Sequence, residues 1–236
     1  MFTIELAGHS FSIDNRWPYL KDYCKDYLVP EDPQAPRIRV TDADLDAEVQ
    51  DDRAWPRDYL ESLAVYRKIC ESLVREDIIL FHCSALSLDG QAVLFLGPSG
   101  TGKSTHARLW RQRFGDRIQT VNDDKPLLSF DKDRVTVWGT PYGGKDDLQT
   151  NTSARVKALV VLRQAPENRI RPLSPAEALP LLLNQAYHPT APEDVIRTLE
   201  LVQRLRQLPV YELGCTISQQ AVNLCYETVF ERKISL

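Results

Sequence analysis

The chain predicts an α/β fold: a central mixed β-sheet with a phosphate loop between strand and helix, preceded by a small α+β extension. Three observations carry this. The apolar run at residues 92–96 leads directly into Gly97-Pro-Ser-Gly-Thr-Gly-Lys-Ser-Thr105, and a helical stretch begins at Lys103. Short β-rich runs cluster on both sides of that turn, and helical stretches dominate from Pro175 onward. At 236 residues the chain is long enough to bury a sizeable core as one domain with a small extension.

Taken in order, Phe2, Ile4, Leu6, Phe11 and Ile13 alternate with polar residues, which predicts a hairpin turning through Gly8-His9. Residues 30–36 form a polar, proline-bearing connector. Arg37-Ile38-Arg39-Val40 reads as a further strand, and the acidic stretch 42–52 as a solvated loop. Beyond Pro56, the apolar positions Tyr59, Leu60, Leu63, Tyr66, Ile69, Cys70 and Leu73 recur at helical spacing, so one face of a helix turns inward. These elements make an extension over residues 1–77.

Residues 78–236 read as the larger domain. Strands are expected at 78–82, 92–96, 119–121, 126–130, 135–138 and 158–162, with a helix over 103–113. Helices follow at 176–185, 192–207 and 219–231, with a strand at 210–213 between the last two. The segment Gln185-Ala186-Tyr187-His188-Pro189 reads as a helix end and lid, with His188 as a surface or capping residue. Trp17, Trp55, Trp110 and Trp138 are expected as packing anchors. No internal repeat or low-complexity tract interrupts this order.

Composition narrows the function classes. With 29 Lys+Arg against 33 Asp+Glu the net charge is −4, so no overall basic field favours nucleic acid. A membrane partner is not expected either, because no stretch approaches the roughly 18–20 apolar residues of a bilayer span. The first residues lack the basic and apolar regions of an export signal. Cys24, Cys70, Cys83, Cys215 and Cys225 are odd in number and form no Cys-x-x-Cys pair, which reads as reduced thiols in the cytoplasm.

The glycine-rich turn carries the first chemistry. Gly97-x4-Gly102-Lys103-Ser104 between a buried strand and a helix is the pattern in which backbone amides cradle phosphates. Gly97, Gly100 and Gly102 let the chain curl, with Ser99 and Thr101 inside the loop. Lys103 reaches the β- and γ-phosphates, Ser104 ligates Mg²⁺, and Thr105 closes the motif. The expected ligands are ATP or ADP with Mg²⁺.

The second signal is Asn122-Asp123-Asp124-Lys125-Pro126 at the end of a predicted strand. Paired carboxylates after such a loop divide two tasks: holding Mg²⁺, and accepting a proton from an attacking hydroxyl. The sequence does not assign either task to Asp123 or Asp124 individually.

His82 after a strand, a hairpin through Asp89-Gly90, the loop from Gly97 to Thr105 and the Asp123-Asp124 pair together resemble the catalytic domain of the HPr kinase/phosphorylase family, whose fold is shared with phosphoenolpyruvate carboxykinases. The resemblance covers residues 78–165 and fits the shorter HPr kinase-like proteins. It implies that Lys103 binds the β/γ-phosphates, that Ser104 with Asp123 and Asp124 holds the metal, and that one of the pair is the general base. It places His82 beside the phosphates. Two features depart from the family: Thr105 stands where a Glu follows the loop Ser, and the downstream segment for protein-substrate recognition is missing. Relatives form homo-oligomers, although no stretch here reads as an interface.

A second glycine-bearing loop, Gly143-Gly144-Lys145-Asp146-Asp147, brings Lys145 toward a transferred phosphoryl or an anionic acceptor, and Arg155 beyond it offers a phosphate clamp. The expectation is an Mg-ATP-dependent phosphotransferase acting on a hydroxyl of a small molecule, peptide or protein. The alternatives are a nucleotide-binding accessory module with little turnover, and a carboxykinase-like enzyme.

Overall fold

The computed structural model describes residues 1–49, 51, 53–144 and 146–233. They form two compact units, Met1–Ile78 and Ile79–Leu236.

In the first unit β1 (Phe2–Leu6) and β2 (His9–Asp14) pair antiparallel, with Phe2 opposite Ile13 and Leu6 opposite His9. The turn is Ala7-Gly8, not Gly8-His9. Those two residues take the positive φ values, 51° and 81°, that a two-residue hairpin turn requires, so His9 already belongs to β2. After α1 (Tyr19–Tyr23) come β3 (Leu28–Val29) and β4 (Arg37–Arg39), giving the strand order β3-β1-β2-β4. The acidic stretch expected as a loop opens instead with a short helix, α2 (Asp42–Asp46). Thr41 accepts from the Asp44 amide while the Asp44 carboxylate accepts from the Thr41 amide, a capping box. Arg16 and Arg57 pair with Asp42, and Lys68 with Asp44. The long helix α3 (Arg57–Leu73) buries Leu60, Ile69 and Leu73 and also Glu61, whose carboxylate accepts from the Arg16 amide at 2.5 Å.

The second unit contains β5 (Ile78–Leu80), β6 (Ser84–Leu88), β7 (Gln91–Leu96), β8 (Ile118–Asn122), β9 (Leu127–Asp131), β10 (Arg134–Trp138), β11 (Ser153–Gln164), β12 (Arg169–Pro172) and β13 (Val210–Cys215). They form one curled mixed sheet in the order β5-β9-β10-β11-β7-β6-β8, with β13 also beside β11 and β12 beside β13. β11 is its spine. It runs parallel to β7 and β13, while its first residues pair antiparallel with β10, so the sheet forks along one long strand. β6 is antiparallel to both β7 and β8, which makes β7 and β8 parallel and brings their C-terminal ends to one edge.

The helices are α4 (Lys103–Phe114), α5 (Pro175–Leu183), α6 (Pro192–Leu205) and α7 (Gln219–Phe230). α4 and α7 cover one face of the sheet, where Trp110, Phe95, Val160, Leu213 and Val222 interlock. Burying one such large side chain is worth about 1.5–3 kcal/mol. Trp110 is fully buried and packs against Phe95, Phe114 and Tyr226. Trp17, Trp55 and Trp138 are only half-buried, so of the four tryptophans expected as anchors Trp110 alone lies wholly in the core.

The segment expected as a lid is pinned. Phe81 bridges Ala186, and the His82 amide donates to Gln185 O at 2.7 Å; His188 beyond it is exposed. Cys24, Cys70, Cys83 and Cys225 are buried free thiols and Cys215 is half-buried. Burial pushes Cys24 up to about 12. Among the described residues no helix is long and apolar enough to cross a membrane.

Candidate functional site

β7 delivers Leu96 into the glycine loop, and the loop delivers Lys103 into α4. Gly97, Gly100 and Gly102 have φ of 149°, 81° and 103°, a region that side chains disfavour. A Cβ on Gly97 would lie 2.8 Å from Thr101 Oγ1. The turn is held from within and from beside it. The amide and the hydroxyl of Thr101 both donate to Pro98 O, and Gln164 Nε2, at the end of β11, donates to Gly100 O at 3.1 Å. The His106 amide closes the first turn of α4 on Gly102 O at 2.8 Å. No acidic residue sits in that first turn, so its free amides keep their positive potential. Ser99 and Ser104 are exposed, and Thr105 is half-buried. Lys103 folds back over the loop, its Nζ donating to Gly97 O at 2.6 Å and Pro98 O at 3.4 Å.

The sheet brings the remaining groups to the same edge. Register places Ala85 of β6 opposite Leu94 of β7 on one side and Asn122 of β8 on the other. The residues just before β6 therefore meet those just after β8. The Cys83 amide donates to Asp124 O at 3.2 Å, and His82 Nε2 lies 2.7 Å from Asp124 Oδ1. The other carboxylate oxygen, Oδ2, accepts from Lys125 Nζ. Burial pushes the Asp124 carboxyl up, but the His82 hydrogen bond and the Lys125 charge outweigh it and hold the group at about 2. The Asp124 charge also reaches Lys103, opposing the downward pull of burial on that ammonium.

Asp123 is in a different environment. It is buried, and burial raises its pKa; a hydrogen bond from the Gly144 amide at 2.5 Å opposes the rise, while the nearby Asp124 and Asp146 carboxylates add to it. The glycines of the second loop approach this carboxylate. A Cβ on Gly144 would lie 2.9 Å from Asp123 Oδ2, and one on Gly143 would lie 2.0 Å from Gln149 Oε1.

Asn122 organises the turn that follows β8. Fully buried, it accepts from the amides of Asp124 and Lys125 at 2.8 Å each, and its Nδ2 donates to Thr140 O and Thr140 Oγ1 at 3.1 Å each. A small amide that ends a strand and caps the backbone beyond it is the sequence signal for this turn.

The structure therefore brings together Lys103, His82 and Asp124, with Asp123 beside them under Gly144. Arg155 is set apart. It is exposed and sits opposite Gln91, the first residue of β7, while the glycine loop leaves the other end of that strand after Leu96. The length of β7, on the order of 17 Å, separates the two positions along the ladder. Lys145 lies outside the described residues.

Among the described residues no cluster of three or more His, Cys, Asp or Glu forms a ready cation cage. Ser104, Asp123 and Asp124 nonetheless offer hard oxygen donors. Donors of this kind suit Mg²⁺, which takes one or two carboxylates and completes its shell with phosphate and water.

Residues 47–221 match the family described as "ScmC: SynChlorMet cassette protein ScmC". The chain belongs to the ScmC family. The matched span contains His82, the whole glycine loop, Asn122, both aspartates and Gly144. This ScmC-family chain is also similar to a solved HPr(Ser) kinase/phosphatase from Coxiella burnetii, at 15% identity and a TM-score of 0.34, over 64% of this chain and 93% of that chain. No curated protein matches it.

Proposed function

We propose that this ScmC-family chain is a phosphotransferase that moves the terminal phosphoryl group of ATP to a hydroxyl acceptor. The observation that carries this reading is the meeting of His82 and Asp124 within reach of the Lys103 charge, with the differently tuned carboxylate of Asp123 adjacent along the chain. Asp124, held at about 2, is a permanent anion fixed by His82 and Lys125. Asp123 has a raised affinity for protons and is the better base.

In this mechanism the triphosphate lies on the amides of the glycine loop, and Lys103 leaves the carbonyls of Gly97 and Pro98 for the β- and γ-phosphates. The acceptor hydroxyl is aligned by Asp123, which takes its proton as the oxygen bonds to the γ-phosphorus. The bond from that phosphorus to the β,γ-bridging oxygen breaks, and ADP departs with the electron pair. Mg²⁺ held by Ser104 and Asp124 would neutralise phosphate charge. Asn122 holds the backbone at Asp124 and Lys125 through their amides. Acceptors within the scope of this chemistry are a small molecule, a peptide or a protein side chain bearing a hydroxyl.

The test is transfer of label from γ-labelled ATP with Mg²⁺ into a fractionated pool of metabolites and peptides, beside Lys103→Ala and Asp123→Asn. Label in an organic acceptor that both substitutions abolish supports the reading. Label that appears only as inorganic phosphate, or stays in ATP, refutes it in favour of an ATPase or a nucleotide-binding accessory module.

A further inference from the structure

A cavity of about 280 Å³ opens beside the glycine loop, lined among others by Thr105, His106, Gln164, Cys215, Thr216 and Ile217. Its place in the sheet gives it meaning. β7 carries the loop at its C-terminal end; on one flank β6 and β8 bring His82, Asp123 and Asp124, and on the other β11 and β13 bring the cavity. The proposed reacting end and the cavity thus lie on opposite sides of the same loop.

Two features mark the cavity as built for a ligand. Ile217, at its lip, leaves 79% of its surface to solvent, an apolar side chain with nothing over it. His106, also lining it, is only 3% exposed, and its Nε2 accepts from the Trp110 indole N–H at 3.0 Å. An indole nitrogen can only donate, so Nε2 bears no proton. With Nε2 accepting, the ring proton sits on Nδ1. Among the described residues nothing accepts from Nδ1.

We propose that this cavity receives the base and ribose of the nucleotide, an inference that rests on the phosphoryl-transfer reading above. The triphosphate then spans the loop, with its γ-end toward Asp123 and its nucleoside toward β13. Ile217 covers one face of the base, and the unused donor of His106 meets an acceptor on the nucleoside or at its phosphate junction. The volume is close to the lower end of the roughly 300–1,000 Å³ of small-molecule sites, which suits a nucleoside.

The experiment compares the affinities of ATP and inorganic tripolyphosphate by calorimetry for the unmodified chain, Ile217→Ser and Lys103→Ala. The expected result is tighter binding of ATP than of tripolyphosphate, a loss of about tenfold for ATP alone in Ile217→Ser, and loss of both ligands in Lys103→Ala. Equal affinity for the two ligands, or ATP affinity untouched by Ile217→Ser while Lys103→Ala abolishes binding, overturns the cavity assignment and leaves the phosphoryl-transfer reading standing. If neither ligand binds the unmodified chain, both fall together. A second readout uses Cys215, the one cysteine that is not fully buried: ATP should slow its reaction with a small thiol reagent and tripolyphosphate should not. Equal protection by the two also counts against the assignment.

Discussion

His82 Nε2 meets Asp124 Oδ1 at 2.7 Å, a contact that the β6–β8 register makes possible by bringing the two flanking segments together. With Ala85 opposite Asn122, the residue that ends the approach to β6 and the residue that leaves β8 share one corner of the sheet. Asp124 is consequently an anchored anion, and in the proposed mechanism His82 acts through it as a positioning residue.

That relationship predicts the behaviour of His82→Ala. Removing the donor lets the Asp124 carboxyl rise from about 2 toward its ordinary range. Turnover should fall roughly 10–100-fold, as is usual when the orienting partner of a site residue is lost. ATP affinity should stay near that of the unmodified chain, and His82→Gln, which keeps a donor, should recover part of the rate. Steady-state kinetics with direct ATP titration separates these; a loss confined to ATP binding would contradict the role.

Asp123→Asn should lower kcat by about 10²–10⁴-fold, the usual contribution of a positioned base, with ATP still bound. The pH dependence follows from the sign of the shift. A base works ionised, so the rate is full above its pKa and falls as pH drops through it. Burial raises that value for Asp123 above the ordinary 3.8, whereas Asp124 stays ionised down to about 2. A plot of log kcat against pH should therefore show one acid limb with unit slope. A two-proton limb would argue against this division of labour.

Gly144→Ala tests the second loop. The added Cβ would lie 2.9 Å from Asp123 Oδ2 and 3.1 Å from its Cγ, so either the carboxylate or the loop must shift. Misplacing a base by so little is enough to cost on the order of 10²-fold in rate. The melting temperature and ATP affinity should change far less than kcat, which calorimetry and rate measurements on one preparation will establish.

His106 predicts a stability trend independent of catalysis. Its folded pKa, about 4, lies below the unfolded 6.5, so the unfolded chain binds a proton between those values and the folded chain does not. The folded state is favoured fully above pH 6.5 and loses that advantage as pH falls toward 4, by about 3 kcal/mol in all at 1.36 kcal/mol per unit. Urea unfolding at pH 7.5 and pH 5 should show a smaller pH-dependent loss in His106→Gln than in the unmodified chain. Equal losses would exclude His106 as the source.

What the sequence determined by itself was what neighbours along the chain determine. The apolar run before Gly97, the glycines of the turn and the helical stretch after Lys103 specify strand, loop and helix through local backbone preferences. Alternation at Phe2, Ile4 and Leu6 and helical spacing from Tyr59 to Leu73 did the same for β1 and α3. The acidic run misled because charge suggested solvent, while Thr41 and Asp44 supplied a cap that starts a helix there. Only the tertiary structure decided which distant residues share a corner. The β6–β8 register joined His82 to Asp124, Asn122 locked the turn onto Thr140, and the Gly144 amide came down on Asp123. The same pairing rules sent Arg155 to the far end of β7 and fixed the expected lid against Phe81 and His82. Those outcomes depend on strand order and register, which arise from packing a whole sheet and leave little trace in any short stretch of sequence.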